Sequence, residues 1–100
     1  MIARVWQGLV RAEVADEYAR LMREVALPKY RETPGNMGAW CLHRIVDDIG
    51  HFEMLTFWAD IEAIKRFAGD DYERAKYYDF DPQFLLELSP NVVHYVAHDR

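Results

Sequence analysis

Four histidines, three tryptophans, six tyrosines and one cysteine are the residues of this 100-residue chain best suited to chemistry near neutral pH. His94 stands out among them. It lies inside the apolar run Val92-Val93-His94-Tyr95-Val96, where an imidazole either acts as a base or bonds a core neighbour. His51 and His98 read as surface residues, and His43 as an edge-strand residue meeting solvent or a dimer partner. Three of the histidines fall in separate predicted strands and Cys41 is alone, so no metal site and no internal disulfide is expected. Cys41 reads as a small buried apolar residue, with a reactive thiol as the alternative.

Trp6, Trp40 and Trp58 each carry one donor on a large apolar ring. They suit either the walls of a cavity for a flat ligand or core and interface packing. Gln7 adds a polar handle beside Trp6. Tyr72, Tyr77 and Tyr78 belong to a segment placed to lid a cleft between helices and sheet, where Tyr72 and Tyr78 are candidate donors to a ligand oxygen. Helix-edge packing explains the same tyrosines equally well. Other chemistries lack their residues. The five glycines are isolated, so there is no phosphate loop or dinucleotide fingerprint, and Ser89, the only serine, lies outside any Gly-x-Ser-x-Gly. Asp47-Asp48 and Asp70-Asp71 fall at predicted turns or caps rather than forming a catalytic pair.

One domain must position these residues, with a modest core. Twelve Lys and Arg against seventeen Asp and Glu give a net charge of −5. The basic stretches Arg20 to Arg31 and Arg74 to Lys76 are interleaved with acids, as on a solvated helix face, so neither nucleic acid nor an anionic membrane is an expected partner. No apolar run reaches about 18 residues, and the N-terminus lacks a signal-peptide pattern. A cytoplasmic location is expected.

Alternation predicts a first strand over Ile2 to Val10. A helix follows from about Glu13, with Val14, Tyr18, Leu21, Met22 and Val25 on one face, early acids, and an Asp16–Arg20 pair. Pro28 should end it. Strands over Gly38 to Val46 and His51 to Trp58 form a hairpin around Asp47-Asp48-Ile49-Gly50. Asp60 caps a helix carrying Ile61, Ile64, Phe67 and Ala68 inward, and Gly69 stops it. Asp70 or Asp71 caps a further turn or two through Tyr78, Asp81-Pro82 opens a short helix over Gln83 to Leu88, and Asn91 to His98 is the last strand. This order is the α+β ferredoxin-like split βαβ: a four-stranded antiparallel sheet with helices on one face.

Both faces of that sheet are apolar. Trp6 and Val10 oppose Val5 and Leu9; Cys41 and Ile45 oppose Trp40 and Leu42; Phe52, Met54 and Trp58 oppose Leu55 and Phe57; Val92 opposes Val93 and Tyr95. Helices cover one face only, so a homodimer through the open sheet face is expected.

At Ile2-Ala-Arg-Val-Trp-Gln-Gly, Phe52-Glu-Met-Leu-Thr-Phe-Trp-Ala-Asp-Ile-Glu-Ala-Ile, Phe67-Ala-Gly-Asp and His94-Tyr95 the chain resembles the antibiotic-biosynthesis-monooxygenase (ABM) type domain of the dimeric α/β-barrel superfamily. The resemblance spans nearly the whole chain as a single domain over residues 1–100, and implies a dimeric α/β barrel. It does not choose an activity. Against the haem-degrading branch, Trp58 matches, but strand one has no asparagine and Lys76 stands where the iron-ligating histidine is expected. One reading open within the resemblance is a cofactor-independent monooxygenase acting on a small aromatic or quinol-like substrate. Residue type and position then make His94 the candidate catalytic base and Trp6, Gln7, Trp58, Tyr72 and Tyr78 the candidate substrate contacts. No cofactor is expected. Two alternatives stand beside it: a non-catalytic dimer binding a small apolar molecule, and an isomerase acting on a small carbonyl metabolite.

Overall fold

The computed structural model describes residues 1–98. Its sheet has the order β2-β3-β1-β4, from β1 (Ile2–Arg11), β2 (Asn36–Val46), β3 (Ile49–Trp58) and β4 (Val93–Val96). Every neighbouring pair is antiparallel, giving the expected ferredoxin-like arrangement with helices on one face. The hairpin turn is Asp47-Asp48, with Asp47 at φ 54°, so β3 begins two residues before the expected His51.

The pleat sorts the side chains. Arg4, Trp6 and Val10 of β1 face the helices with Phe52, Met54, Thr56 and Trp58 of β3, and all are buried. On the other face, Trp40, Leu55, Val5 and Val93 form one row across the four strands, and Phe57, Ala3 and Tyr95 form the next. Trp40, Leu42, Val93 and Tyr95 of this open face are about half exposed.

The first helical stretch corrects the sequence expectation. A single 3-10 turn (Ala12–Val14) leads into α1 (Ala15–Leu21), a π-helical segment (Met22–Ala26) and α2 (Leu27–Glu32). Pro28 therefore does not end the helix. The Leu27 N–H bonds back five residues to the Met22 carbonyl, and this wider turn just before Pro28 makes room where a proline ring would otherwise meet the preceding turn. Tyr18, Met22, Ala26 and Tyr30 form the buried stripe, and Leu21 and Val25 lie only half-buried beside it. Arg20 pairs with Glu17 and Glu24 rather than Asp16, since the longer glutamates reach the guanidinium across the exposed helix face.

Asp60 caps α3 (Ile61–Ala68) by accepting the Ala63 N–H at 2.9 Å, and Gly69 ends it at φ 87°. Beyond it, no helix forms up to Tyr78. Residues 70–80 make an irregular strap, whose backbone bonds Ala75 N–H to Pro90 O and Val92 N–H to Glu73 O tie it to the approach to β4. The next helix, α4 (Asp81–Phe84), is one turn. Leu85 then bridges Val10, and the Leu86 N–H bonds the Leu9 carbonyl, so chain expected as helix pairs with β1 instead. That pairing fills the stretch of β1 left free by β4, which is shorter than expected and spans only Ile2 to Val5.

Gly8 lets Trp6 lie along β1. A Cβ there would stand 2.5 Å from the indole ring and 2.8 Å from Leu85. Gly8→Ala is expected to displace the ring and destabilise the fold by about 1–3 kcal/mol, measured as a lower urea midpoint at unchanged m-value.

Candidate functional site

Between the helix-facing sheet and the strap lies a cavity of about 10 Å³, room for one water, lined by Trp6, Tyr18, Met22, Tyr30, Lys76 and Tyr78 among others. β1 supplies Trp6, the bulged helix supplies Tyr18 and Tyr30, and the strap supplies Lys76 and Tyr78. Asp81, at the start of α4, closes it. Its carboxylate is 1% exposed and accepts the Tyr18 hydroxyl at 2.8 Å and the Tyr78 backbone N–H at 2.7 Å. Burial pushes the carboxyl up, and these two bonds hold it partly down. Burial, with the charge of Asp81 nearby, also raises the Tyr18 and Tyr78 phenols well above their ordinary range.

Four buried polar atoms have no partner among the described residues: Arg4 Nε, Trp6 Nε1, Tyr78 Oη and His94 Nε2. All belong to this side of the molecule. Trp6 and Tyr78 line the cavity, while Arg4 stands beside Tyr30 and Tyr78, near enough for its charge to act on both. His94 is paired with Arg4 across β1 and β4, and Tyr72 meets the imidazole edge-on at 5.3 Å.

Trp6, Tyr78, Tyr72 and His94 are thus brought to one region, with Trp6 and Tyr78 at the cavity itself. Trp58 and Gln7 lie elsewhere. Trp58 is fully buried between Tyr30 and Phe67, and its indole N–H is used by Thr56 Oγ1 at 2.8 Å. Gln7 follows Trp6 in a strand and so points to the opposite face, bonding Glu53 at 3.4 Å. There it borders a wide groove of about 460 Å³ on the open face, together with Leu42, Arg44, His51, Glu53 and Glu87. His43 lies on the edge strand β2, stacked on Phe52 at 4.7 Å. Cys41 is half-buried, and burial pushes its thiol up, away from reactivity.

Arg4, Tyr30 and Asp81 belong to the site without having been singled out from sequence. Arg4 carries a visible signal, since a charge occupies the same strand phase as Ile2, Trp6 and Val10. Asp81 reads locally as a cap, and only tertiary structure brings Tyr18 to it.

Burial, with repulsion from Arg4, lowers the His94 pKa below 6.5, and Glu73 opposes the shift. The folded chain therefore binds this proton less readily than the unfolded chain. The stability tied to neutral His94 is complete above pH 6.5 and is lost as pH falls through the lower folded value. Asp81 acts in the opposite sense, its raised carboxyl favouring the folded chain as it protonates. His94→Gln is expected to flatten the fall in Tm just below pH 6.5, measured by thermal unfolding across that range.

Among the described residues, no helix is long and apolar enough to cross a membrane, and no three His, Cys, Asp or Glu side chains gather as a metal site. No protein-family model and no curated protein matches the chain. Solved structures do. A crystal structure of an antibiotic biosynthesis monooxygenase matches with a TM-score of 0.69 and 21% identity, over 98% of this chain and 99% of the other. A Bacillus cereus protein given the same name provisionally matches with a TM-score of 0.60 and 17% identity, over 95% of this chain and 87% of the other. From end to end, the chain has the fold of proteins named antibiotic biosynthesis monooxygenases.

Proposed function

We propose that the chain is a cofactor-independent monooxygenase for a small, flat, electron-rich phenol or quinol, bound between the sheet and the strap. The observation that carries this reading is the set of unpartnered buried atoms on this side of the sheet, with Trp6 Nε1 and Tyr78 Oη at the aromatic-walled cavity and Arg4 Nε and His94 Nε2 on neighbouring strands. Core packing alone rarely leaves so many polar groups unsatisfied on one side of a sheet. The likeness to solved structures named as monooxygenases supports the same reading.

His94, held neutral by burial and Arg4, accepts the substrate proton. The ring anion reduces oxygen directly. A ring carbon ortho or para to the hydroxyl becomes C=O. Its C–H and the phenolic O–H supply the two hydrogens that leave as water with one oxygen atom of O₂, and the other oxygen atom enters the product. Trp6 and Tyr78 wall and orient the ring. The cavity of about 10 Å³ is too small for a ring, so entry requires the strap to move outward.

A second copy of the chain covers the open sheet face. Trp40, Leu42, Val93 and Tyr95 make this surface apolar and half-exposed, beyond the ordinary scatter of surface side chains. Facing copies would enclose the wide groove between two sheets. Sedimentation at micromolar concentration is expected to give about twice 11.8 kDa. A stable monomer would remove this part of the reading.

Oxygen uptake is the test of catalysis, with anthrone and hydroquinone substrates and chelator present. Uptake above the uncatalysed rate is expected, and His94→Ala should lower kcat by about 10²-fold or more. Full activity in that variant would leave the oxygenase without this base. No uptake across the panel would favour the non-catalytic dimer that binds a small apolar molecule.

A further inference from the structure

Arg4 is a buried cation without an anion. It is 1% exposed, its Nη2 donates to the Arg74 carbonyl at 3.2 Å, and its Nε has no partner. Among the described residues no carboxylate forms an ion pair with it. Its guanidinium carbon instead lies 5.5 Å from the centre of the Phe67 ring. Lys76 brings a second cation to that ring, with Nζ 4.6 Å from its centre and a 3.1 Å bond to the Phe67 carbonyl. Lys76 is exposed, so it is the buried Arg4 charge that opposes folding unless something neutralises it.

Asp81, the acid of the cavity, does not serve. Both its oxygens already accept bonds from the Tyr18 hydroxyl and the Tyr78 N–H. Two further donors, Trp6 Nε1 and Tyr78 Oη, are buried and free at the same cavity. The local inventory is therefore a buried cation, an exposed cation, an indole donor and a hydroxyl that can donate or accept, with no carboxylate paired to either cation among the described residues. An anionic oxygen supplies what is lacking, and a guanidinium fork binds such oxygens strongly.

We infer that Arg4 and Lys76, with Trp6 Nε1 and Tyr78 Oη, form a binding site for an anionic oxygen, a carboxylate or an ionised phenol, carried on a small planar ring. This deepens the proposed function by naming the charge of the ligand, and it rests on the sheet–strap cavity being the ligand site. The cavity is too small for a ring as it stands, so the ligand enters as the strap shifts. Arg4 waits on rigid β1, whereas Lys76 and Tyr78 travel with the strap. Neutralising the cations then favours closure over the bound anion.

The test needs no turnover. Two matched pairs of probes, 4-nitrobenzoate with 4-nitrobenzyl alcohol and 4-nitrophenolate with 4-nitroanisole, are titrated by tryptophan quenching. In at least one pair the anion is expected to bind about tenfold or more tighter than its neutral partner. Preference in the first pair identifies a carboxylate, and in the second an ionised phenol. Arg4→Met should abolish the preference while leaving the Tm without probe unchanged or higher, because an uncompensated buried charge has gone. Lys76→Met, at a partly exposed site, should weaken the anion severalfold and leave the neutral partner unaffected, which tests the site even if Arg4→Met fails to fold. Equal binding within both pairs by the unmodified protein, or a preference that survives in both variants, would overturn the inference. The two proposals fail separately: anion preference without oxygen uptake keeps the site and loses the oxygenase, and uptake without preference does the reverse.

Discussion

One geometric fact governs the molecule: a strand sends alternate side chains to opposite faces, and the helices can cover only one of them. Trp6 and Gln7 are neighbours in sequence, yet one lines a small cavity under the strap and the other borders an open groove. The same parity joins Arg4 to Trp6 on the covered face, and assigns Trp40 and Leu42 to the uncovered one. The candidate site and the open apolar face are therefore two sides of one layer. A substitution in β1 acts on whichever of them its parity dictates.

The covered face is filled unevenly. At one end Trp58, Tyr30 and Phe67 pack tightly, and the Trp58 indole is satisfied by Thr56. Towards the strap the packing becomes polar, with the Tyr18–Asp81 bond, Arg4, and donors left unused. Strained polar satisfaction of this kind is costly to a fold and is expected where binding, rather than stability, decides the residue. Tyr78 and Lys76 belong to irregular chain, tied to the approach to β4 by the Ala75–Pro90 and Val92–Glu73 backbone bonds rather than by a helix of its own.

Element order, sheet topology and the α3 boundaries were legible because each has a local cause. Alternation marks the strands, Asp60 caps a helix and Gly69 ends one. Pro28 misled because a proline prohibits only the ordinary α spacing, and the chain answers with a wider turn. The strap and the Leu85–Leu86 pairing were illegible because long-range hydrogen bonds to Pro90 and Leu9 fix them, against a local pattern that favours helix. On this side of the sheet, Trp6, Tyr78 and His94 could be singled out by residue type. Arg4 needed the strand's phase, and Asp81 needed Tyr18, 63 positions away, to show that it is more than a cap.

The π-helical segment has a rotational consequence. Tyr18 and Tyr30 are twelve residues apart, and at about 100° per residue an unbroken α-helix would point them about 120° apart. A turn that accommodates one additional residue makes twelve residues rotate like eleven, which brings the two directions to within about 20°. Both rings consequently reach one cavity. Their convergence is set by the spacing of main-chain hydrogen bonds between Met22 and Leu27, in a stretch whose own side chains give no sign of it.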